Sequence, residues 1–115
     1  MTKAEQTAKI AELNDLARTA MGVTARVLQT PGISSLDLIT QSRIRERVER
    51  FDQFTPDNDP HGERDFGAFE VDGYRVFWKI DYYDREMQYG SEEPWDVSKT
   101  RRVLTIHARR GVLTS

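Results

Sequence analysis

Hydrophobic residues near the start of the chain recur at steps of three and four positions. They are Ile10, Leu13, Leu16, Ala17, Ala20 and Met21. This spacing places them on one face of an amphipathic helix. Thr2 and Glu5 precede them at the spacing of a capping box, in which each side chain satisfies a backbone amide of the first turn. Gly22 is a typical residue to follow a helix end, so the pattern predicts a helix from Thr2 to Gly22.

A strand and a second helix are predicted next. Residues 23–29 alternate and are rich in β-branched side chains, which indicates a strand closed by a turn at Pro31. Ser34 or Ser35 is expected to cap a helix that ends near Phe54. Three residues mark the buried stripe of that helix: Ile44, Val48 and Phe51.

The clearest pattern is a β-hairpin. Residues 66–71 and 74–83 flank Asp72-Gly73, the kind of dipeptide that a type I′ turn prefers. Alternate residues of the second strand are mostly apolar and are expected to face the core: Tyr74, Val76, Trp78, Ile80 and Tyr82.

The rest of the chain completes the fold prediction. Residues 84–100 are polar and irregular, and residues 102–108 predict a final strand. The order α-β-α-β-β-β indicates one α+β domain over residues 1–115. We expect a mostly antiparallel four-stranded sheet with the helices on one face.

Composition narrows the possible classes of protein. The chain has no cysteine, which excludes disulfides, zinc fingers and iron–sulfur clusters. It has no apolar run long enough for a membrane helix and no apolar leader, so we expect a cytoplasmic protein with no membrane partner.

Charge is segregated along the chain although the net charge is only −2. Residues 52–72 carry seven acids against one arginine, and residues 81–96 carry six acids against one arginine. Residues 99–110 carry five cations and no acid. This segregation of charge can steer a charged partner. Alternatively, the opposite charges can neutralise one another through weak surface ion pairs.

Two long motifs resemble a known family. They are Phe51-Asp-Gln-Phe-Thr-Pro-Asp-Asn-Asp-Pro-His-Gly-Glu-Arg-Asp-Phe-Gly-Ala-Phe-Glu70 and Phe77-Trp-Lys-Ile-Asp-Tyr-Tyr-Asp84. They are similar to the signature of a small bacterial family catalogued as a domain of unknown function. That family is typical of alphaproteobacteria and often lies near plasmid or prophage genes. The resemblance implies a cytoplasmic bacterial protein carried on mobile DNA and brings no catalytic residue.

The acidic loop after the second helix is the first candidate site. Its ligand-type side chains alternate as in a calcium loop: Asp57, Asp59, His61, Glu63 and Asp65. Ala68 stands where the calcium pattern requires a bidentate glutamate. Three interpretations stay open: local turn chemistry, a divalent metal held by residues 57, 59, 61 and 63, and contact with a partner.

The histidines and the exposed aromatic residues suggest two further kinds of chemistry. His61, His107 and the acidic loop could serve a small nuclease of the RelE type or a metal-dependent hydrolase, and the final strands are similar to those of RelE/ParE-type toxins. Phe77 or Tyr83 could stack a nucleic-acid base. The acid surplus opposes phosphate binding, so direct nucleic-acid binding is not expected.

The favoured hypothesis is a non-enzymatic protein-binding module with no cofactor and no catalytic residue. Its acidic segments would contact a basic surface of a host protein, and its specific role would be inhibition of a CRISPR or restriction complex. The predicted contact residues are Asp57, Asp59, Glu63, Asp65, Glu86, Glu92, Glu93 and Trp95.

Overall fold

Three helices and four strands are present in residues 1–110, the part of the chain that the computed structural model describes. They are α1 (Lys3–Thr19), β1 (Arg26–Gln29), α2 (Pro31–Ser34), α3 (Leu38–Glu49), β2 (Phe66–Val71), β3 (Tyr74–Tyr83) and β4 (Arg101–Arg110). The described residues therefore form a compact α+β domain, as predicted.

The helix starts agree with the sequence at α1 and differ at α3. The Thr2 hydroxyl accepts from the Glu5 amide at 3.1 Å, and the Glu5 carboxylate accepts from the Thr2 amide at 2.9 Å, which completes the predicted capping box. The expected cap at Ser34 or Ser35 is wrong. Pro31 instead begins the short helix α2, since its fixed φ suits a first helical position.

Asp37 is the residue that caps α3. Its carboxylate accepts from the Thr40 amide and from the Thr40 hydroxyl, both at 2.9 Å, and these hydrogen bonds lower the pKa of Asp37. The helix also ends earlier than predicted, at Glu49, and Phe51 and Phe54 lie beyond it. Both rings still pack on the core, in edge-to-face contact with each other at 5.0 Å. The apolar spacing correctly indicated burial but not the helix boundary.

The four strands form one mixed sheet in the order β1-β4-β3-β2. β2 pairs antiparallel with β3, and β3 with β4, but β1 runs parallel to β4 with Arg26 opposite Val103. The prediction of a mostly antiparallel sheet is therefore wrong, and its element order lacked α2. The hydrophobic pattern of a single strand carries no information about the direction of a neighbour so distant in sequence.

The predicted hairpin is confirmed. Asp72 and Gly73 have φ values of 51° and 81°, the left-handed backbone that a type I′ turn requires at both central positions. Trp78 lies opposite Ile106 and is fully buried together with Val76 and Leu104. We call this side of the sheet the inner face. The opposite side, which carries Phe77 and His107, is the outer face.

Helices α1 and α3 pack on the inner face. Arg18 of α1 lies over the Trp78 ring at 4.8 Å and donates to the carbonyls of Val48 and Phe51 at 2.9 and 2.8 Å. It also pairs with Asp15 at 2.8 Å. This buried guanidinium joins the two helices to the sheet and caps the end of α3, while burial lowers its pKa.

Candidate functional site

The acidic loop is held mainly by its own hydrogen bonds. The Asn58 carboxamide oxygen accepts from the Thr55 amide at 2.8 Å, and the Asp59 carboxylate accepts from the Arg64 amide at 3.0 Å. Gly62 and Arg64 have positive φ angles, 69° and 55°, which such a tight course requires. These contacts match the turn-chemistry interpretation for residues 58 and 59.

Glu63 belongs to a buried polar network. Its carboxylate accepts from the Tyr82 hydroxyl at 2.8 Å, and its carbonyl accepts from the Asn14 carboxamide at 2.9 Å. Asn14, which is fully buried, also donates to the Tyr82 hydroxyl at 2.7 Å and accepts from Arg102 Nε at 2.8 Å. The network connects α1, the loop, β3 and β4, so Glu63 fixes the loop against the sheet.

Burial shifts two titratable groups beside this network. Desolvation, followed by the hydrogen bond and charge of Glu63, raises the pKa of Tyr82, so its hydroxyl stays protonated and donates. Desolvation raises the pKa of Asp65 as well, with smaller contributions from the charges of Glu63 and Asp59. Asp65 is half-buried at the start of the hairpin, and its carbonyl accepts from the Ile80 amide at 2.8 Å.

The two histidines lie in different environments. His61 is exposed in the acidic loop. His107 lies on the outer face, where its ring stacks on Phe77 at 4.8 Å with an interplanar angle of 14°. In residues 1–110 no group of three or more histidine, aspartate or glutamate side chains is arranged to hold a metal ion. The geometry therefore does not unite the predicted histidines in one centre.

The second acidic segment forms an ordered loop after β3. Residues 84–93, which we call the display loop, are connected by backbone hydrogen bonds from the Asp84 amide to the Tyr89 carbonyl at 2.8 Å and from the Ser91 amide to the Tyr82 carbonyl at 3.0 Å. The Asp84 carboxylate also accepts from the Gln88 amide at 3.0 Å. Met87 adopts a φ of 60°, uncommon for this residue type.

The display loop exposes apolar and acidic side chains together. Tyr89 is 73% exposed and Met87 is 40% exposed. Glu86 and Glu92 are exposed, and among the described residues neither forms an ion pair. Tyr89 and Met87 were missed by the sequence reasoning, which weighed only the charges of this segment.

The other predicted contact residues differ in how much they are engaged. Asp57 is exposed in the acidic loop. Glu93 pairs with Lys99 at 2.8 Å, and Trp95 is partly buried. Of the eight predicted residues, three are exposed (Asp57, Glu86 and Glu92), three have side chains bonded within the fold (Asp59, Glu63 and Glu93), and two are partly buried (Asp65 and Trp95).

A groove of about 730 Å³ lies beside the display loop. Its apolar lining includes Leu16, Val23, Met87 and Val97, and four arginines also line it: Arg26, Arg85, Arg101 and Arg102. None of the acidic residues in the described part of the chain, residues 1–110, lines the groove. The surface around the display loop is therefore not uniformly acidic, although residues 81–96 carry six acids against one arginine.

The family model described as "Protein of unknown function (DUF3768)" matches residues 29–110. The chain belongs to this family. The DUF3768 region contains the acidic loop, the display loop and the hairpin, whereas α1 and most of β1 precede it. A search of curated proteins and one of solved structures found no match. Among residues 1–110, no helix has the length and apolar character needed to span a bilayer.

Proposed function

We propose that this chain is a non-enzymatic protein-binding module and that the display loop is its contact surface. The observation that supports this proposal is Tyr89, a large amphipathic side chain left 73% exposed in a loop whose backbone is hydrogen-bonded. Tyrosine is enriched among the residues that contribute most binding energy at protein interfaces.

The order of the display loop favours binding. A loop already fixed in one conformation loses little entropy when a partner docks, so more of the contact energy remains as affinity. The hydrogen bonds at Asp84 and Ser91 provide that order before any partner is present. Tyr89 itself has few rotatable bonds, which keeps the cost of immobilising its side chain low.

The charges around the loop indicate the partner's surface. Glu86 and Glu92 flank Tyr89 in sequence and would attract a basic patch, as the sequence predicted for a host protein. The groove beside them carries arginines, so the partner would also bring an apolar or acidic side chain to that side. Such alternating charge favours register and specificity more than raw affinity.

The more specific prediction, that the partner is a host CRISPR or restriction complex inhibited by a product of mobile DNA, stays a prediction. Cytoplasmic localisation is part of the same hypothesis. Capture of a cytoplasmic CRISPR or restriction component from the host would support both.

Affinity capture from bacterial lysate, followed by binding measurements with the purified partner, tests the proposal. We expect a stoichiometric partner whose affinity falls by about 30-fold or more with Tyr89→Ala, because truncating a hot-spot residue of an interface costs about 2 kcal/mol or more. The double substitution Glu86→Lys/Glu92→Lys should slow association.

Matched control variants separate a local contact from a general effect. Leu38→Ala truncates another exposed apolar side chain. Glu12→Lys/Glu46→Lys makes the same charge change on helices α1 and α3. Both controls should bind as the unmodified chain does. Equal binding by the Tyr89→Ala variant, or equal weakening by the helix variants, would contradict the proposal.

A further inference from the structure

The outer face of the sheet carries a charge opposite to that of the whole chain. Five cations point outward from its strands: Arg26, Arg75, Lys79, Arg101 and Arg109. Among the strand residues that the structure describes, only two carboxylates, Glu70 and Asp81, share this face. The face therefore has a net charge of +3 and the remainder of the chain −5, against −2 overall. The cations collect on one face because alternate residues of a strand point to opposite sides of the sheet.

Both carboxylates on this face are weakly engaged. Glu70 pairs with Arg75 at 3.5 Å and Asp81 with Lys79 at 3.4 Å, all with exposed side chains. Such surface pairs contribute little and exchange readily. Arg109 forms no ion pair within residues 1–110. These cations are therefore accessible to an external anion.

Aromatic rings lie among these cations. Phe77 stacks on His107 of the neighbouring strand β4. On its other side Phe77 lies opposite Ala68 of β2, whose side chain is only a methyl group and is exposed. The methyl group of Ala68 is too small to cover the ring face turned toward β2, and we call the space above it the slot; Phe66, which is 40% exposed, and Glu70 flank Ala68 on the same face.

We infer that the outer face binds single-stranded nucleic acid, with one base inserted above Ala68 against the ring of Phe77 and the backbone following Lys79, Arg75 and Arg109. Aromatic side chains stack on bases of any sequence, and a track of cations follows the phosphates. The site would show little sequence preference. The residues that would contact the base and the backbone lie outside the display loop and outside the groove beside it, so the inference extends the proposed function and does not depend on it.

Charge and shape together favour this occupant over an acidic peptide. A carboxylate-rich peptide could form ion pairs with the arginines. It has no flat ring that could lie in the slot above Ala68 and stack on Phe77. The whole-chain acid surplus, which argued against phosphate binding, does not apply locally, because the carboxylates lie mainly on the loops and helices. Local field rather than net charge governs the approach of a phosphate chain.

Fluorescence anisotropy with labelled oligouridine and oligothymidine of about 12 nucleotides at low salt tests the inference. We expect binding that Phe77→Leu weakens by about 5- to 150-fold, the factor equivalent to losing one stacked base. Ala68→Ile, which fills the slot on an exposed strand position, should abolish most binding, whereas Ala68→Ser should retain it. Thermal melting of each variant verifies that the fold is intact.

Salt dependence tests the electrostatic part. Arg109→Gln should reduce the slope of log affinity against log salt by about 0.7, the contribution of one phosphate contact on a single strand. Arg43→Gln, an exposed arginine on α3 paired with Asp72, is the matched control and should leave the slope unchanged. Absence of binding at low salt, full binding by the Ala68→Ile variant, or equally strong binding of polyglutamate would each overturn the inference.

Discussion

Asn14→Ala is the substitution that most directly probes how α1 holds the acidic loop against the sheet. Asn14 is fully buried and forms three hydrogen bonds, donating to the Glu63 carbonyl and the Tyr82 hydroxyl and accepting from Arg102 Nε. Alanine removes all three. Arg102 is itself 6% exposed, so water cannot easily replace the lost acceptor.

The expected cost follows from the partners left behind. A hydrogen bond to a charged group contributes about 1.5–3 kcal/mol, and each of the other two about 0.5–1.5 kcal/mol. Alanine has the better helix propensity and returns about 0.6 kcal/mol. We therefore expect Asn14→Ala to lower the free energy of unfolding by about 2–5 kcal/mol, a large part of the stability of a domain this size.

Urea denaturation followed by tryptophan fluorescence measures this change. Glu12→Ala, an exposed position on the same helix with one weak ion pair to Lys9, is the control and should change stability by less than about 1 kcal/mol. A double-mutant cycle with Tyr82→Phe should give a coupling energy above about 0.5 kcal/mol. A loss below about 1 kcal/mol for Asn14→Ala would refute the reasoning that the three hydrogen bonds of Asn14 are buried and stabilise the fold.

Two further substitutions test the packing and the electrostatics. In Gly67→Ala the new Cβ would lie 2.7 Å from Cε2 of the buried Trp78 ring, so we expect a loss of about 1–3 kcal/mol from overpacking; an unchanged melting temperature would contradict it. Burial raises the pKa of Asp65, which means that ionising this carboxyl opposes folding above its folded-state pKa. Asp65→Asn should therefore raise the melting temperature at neutral pH, and the difference should shrink as the pH falls through the range in which Asp65 becomes protonated. A difference constant with pH would contradict the assigned cause.

Local chemistry explains which parts of the fold the sequence predicted. The capping box at Thr2, the turn at Asp72-Gly73 and the alternation around Trp78 depend on neighbours a few residues away, and all three are confirmed. The parallel pairing of β1 with β4 joins Arg26 to Val103. No short-range pattern encodes that pairing, so the mixed character of the sheet could not be predicted.

The same difference between local and long-range information applies to the candidate sites. Acidic residues were visible in the sequence, but only the structure separates Glu86, which is exposed, from Glu63, which is bonded to Tyr82. The exposure of Tyr89 in a fixed loop depends on backbone hydrogen bonds that could not be predicted from the sequence. The cationic outer face requires the register of three strands, which places Arg75 beside Arg109 and Phe77 beside His107.

Hydrogen–deuterium exchange of the chain, alone and bound to its captured partner, tests the central claim most directly. If the display loop is a preformed protein-binding surface, amides in residues 84–93 should already exchange slowly in the free chain, and binding should protect them further. Protection confined to the helices or to the acidic loop, with residues 84–93 unchanged, would contradict the account.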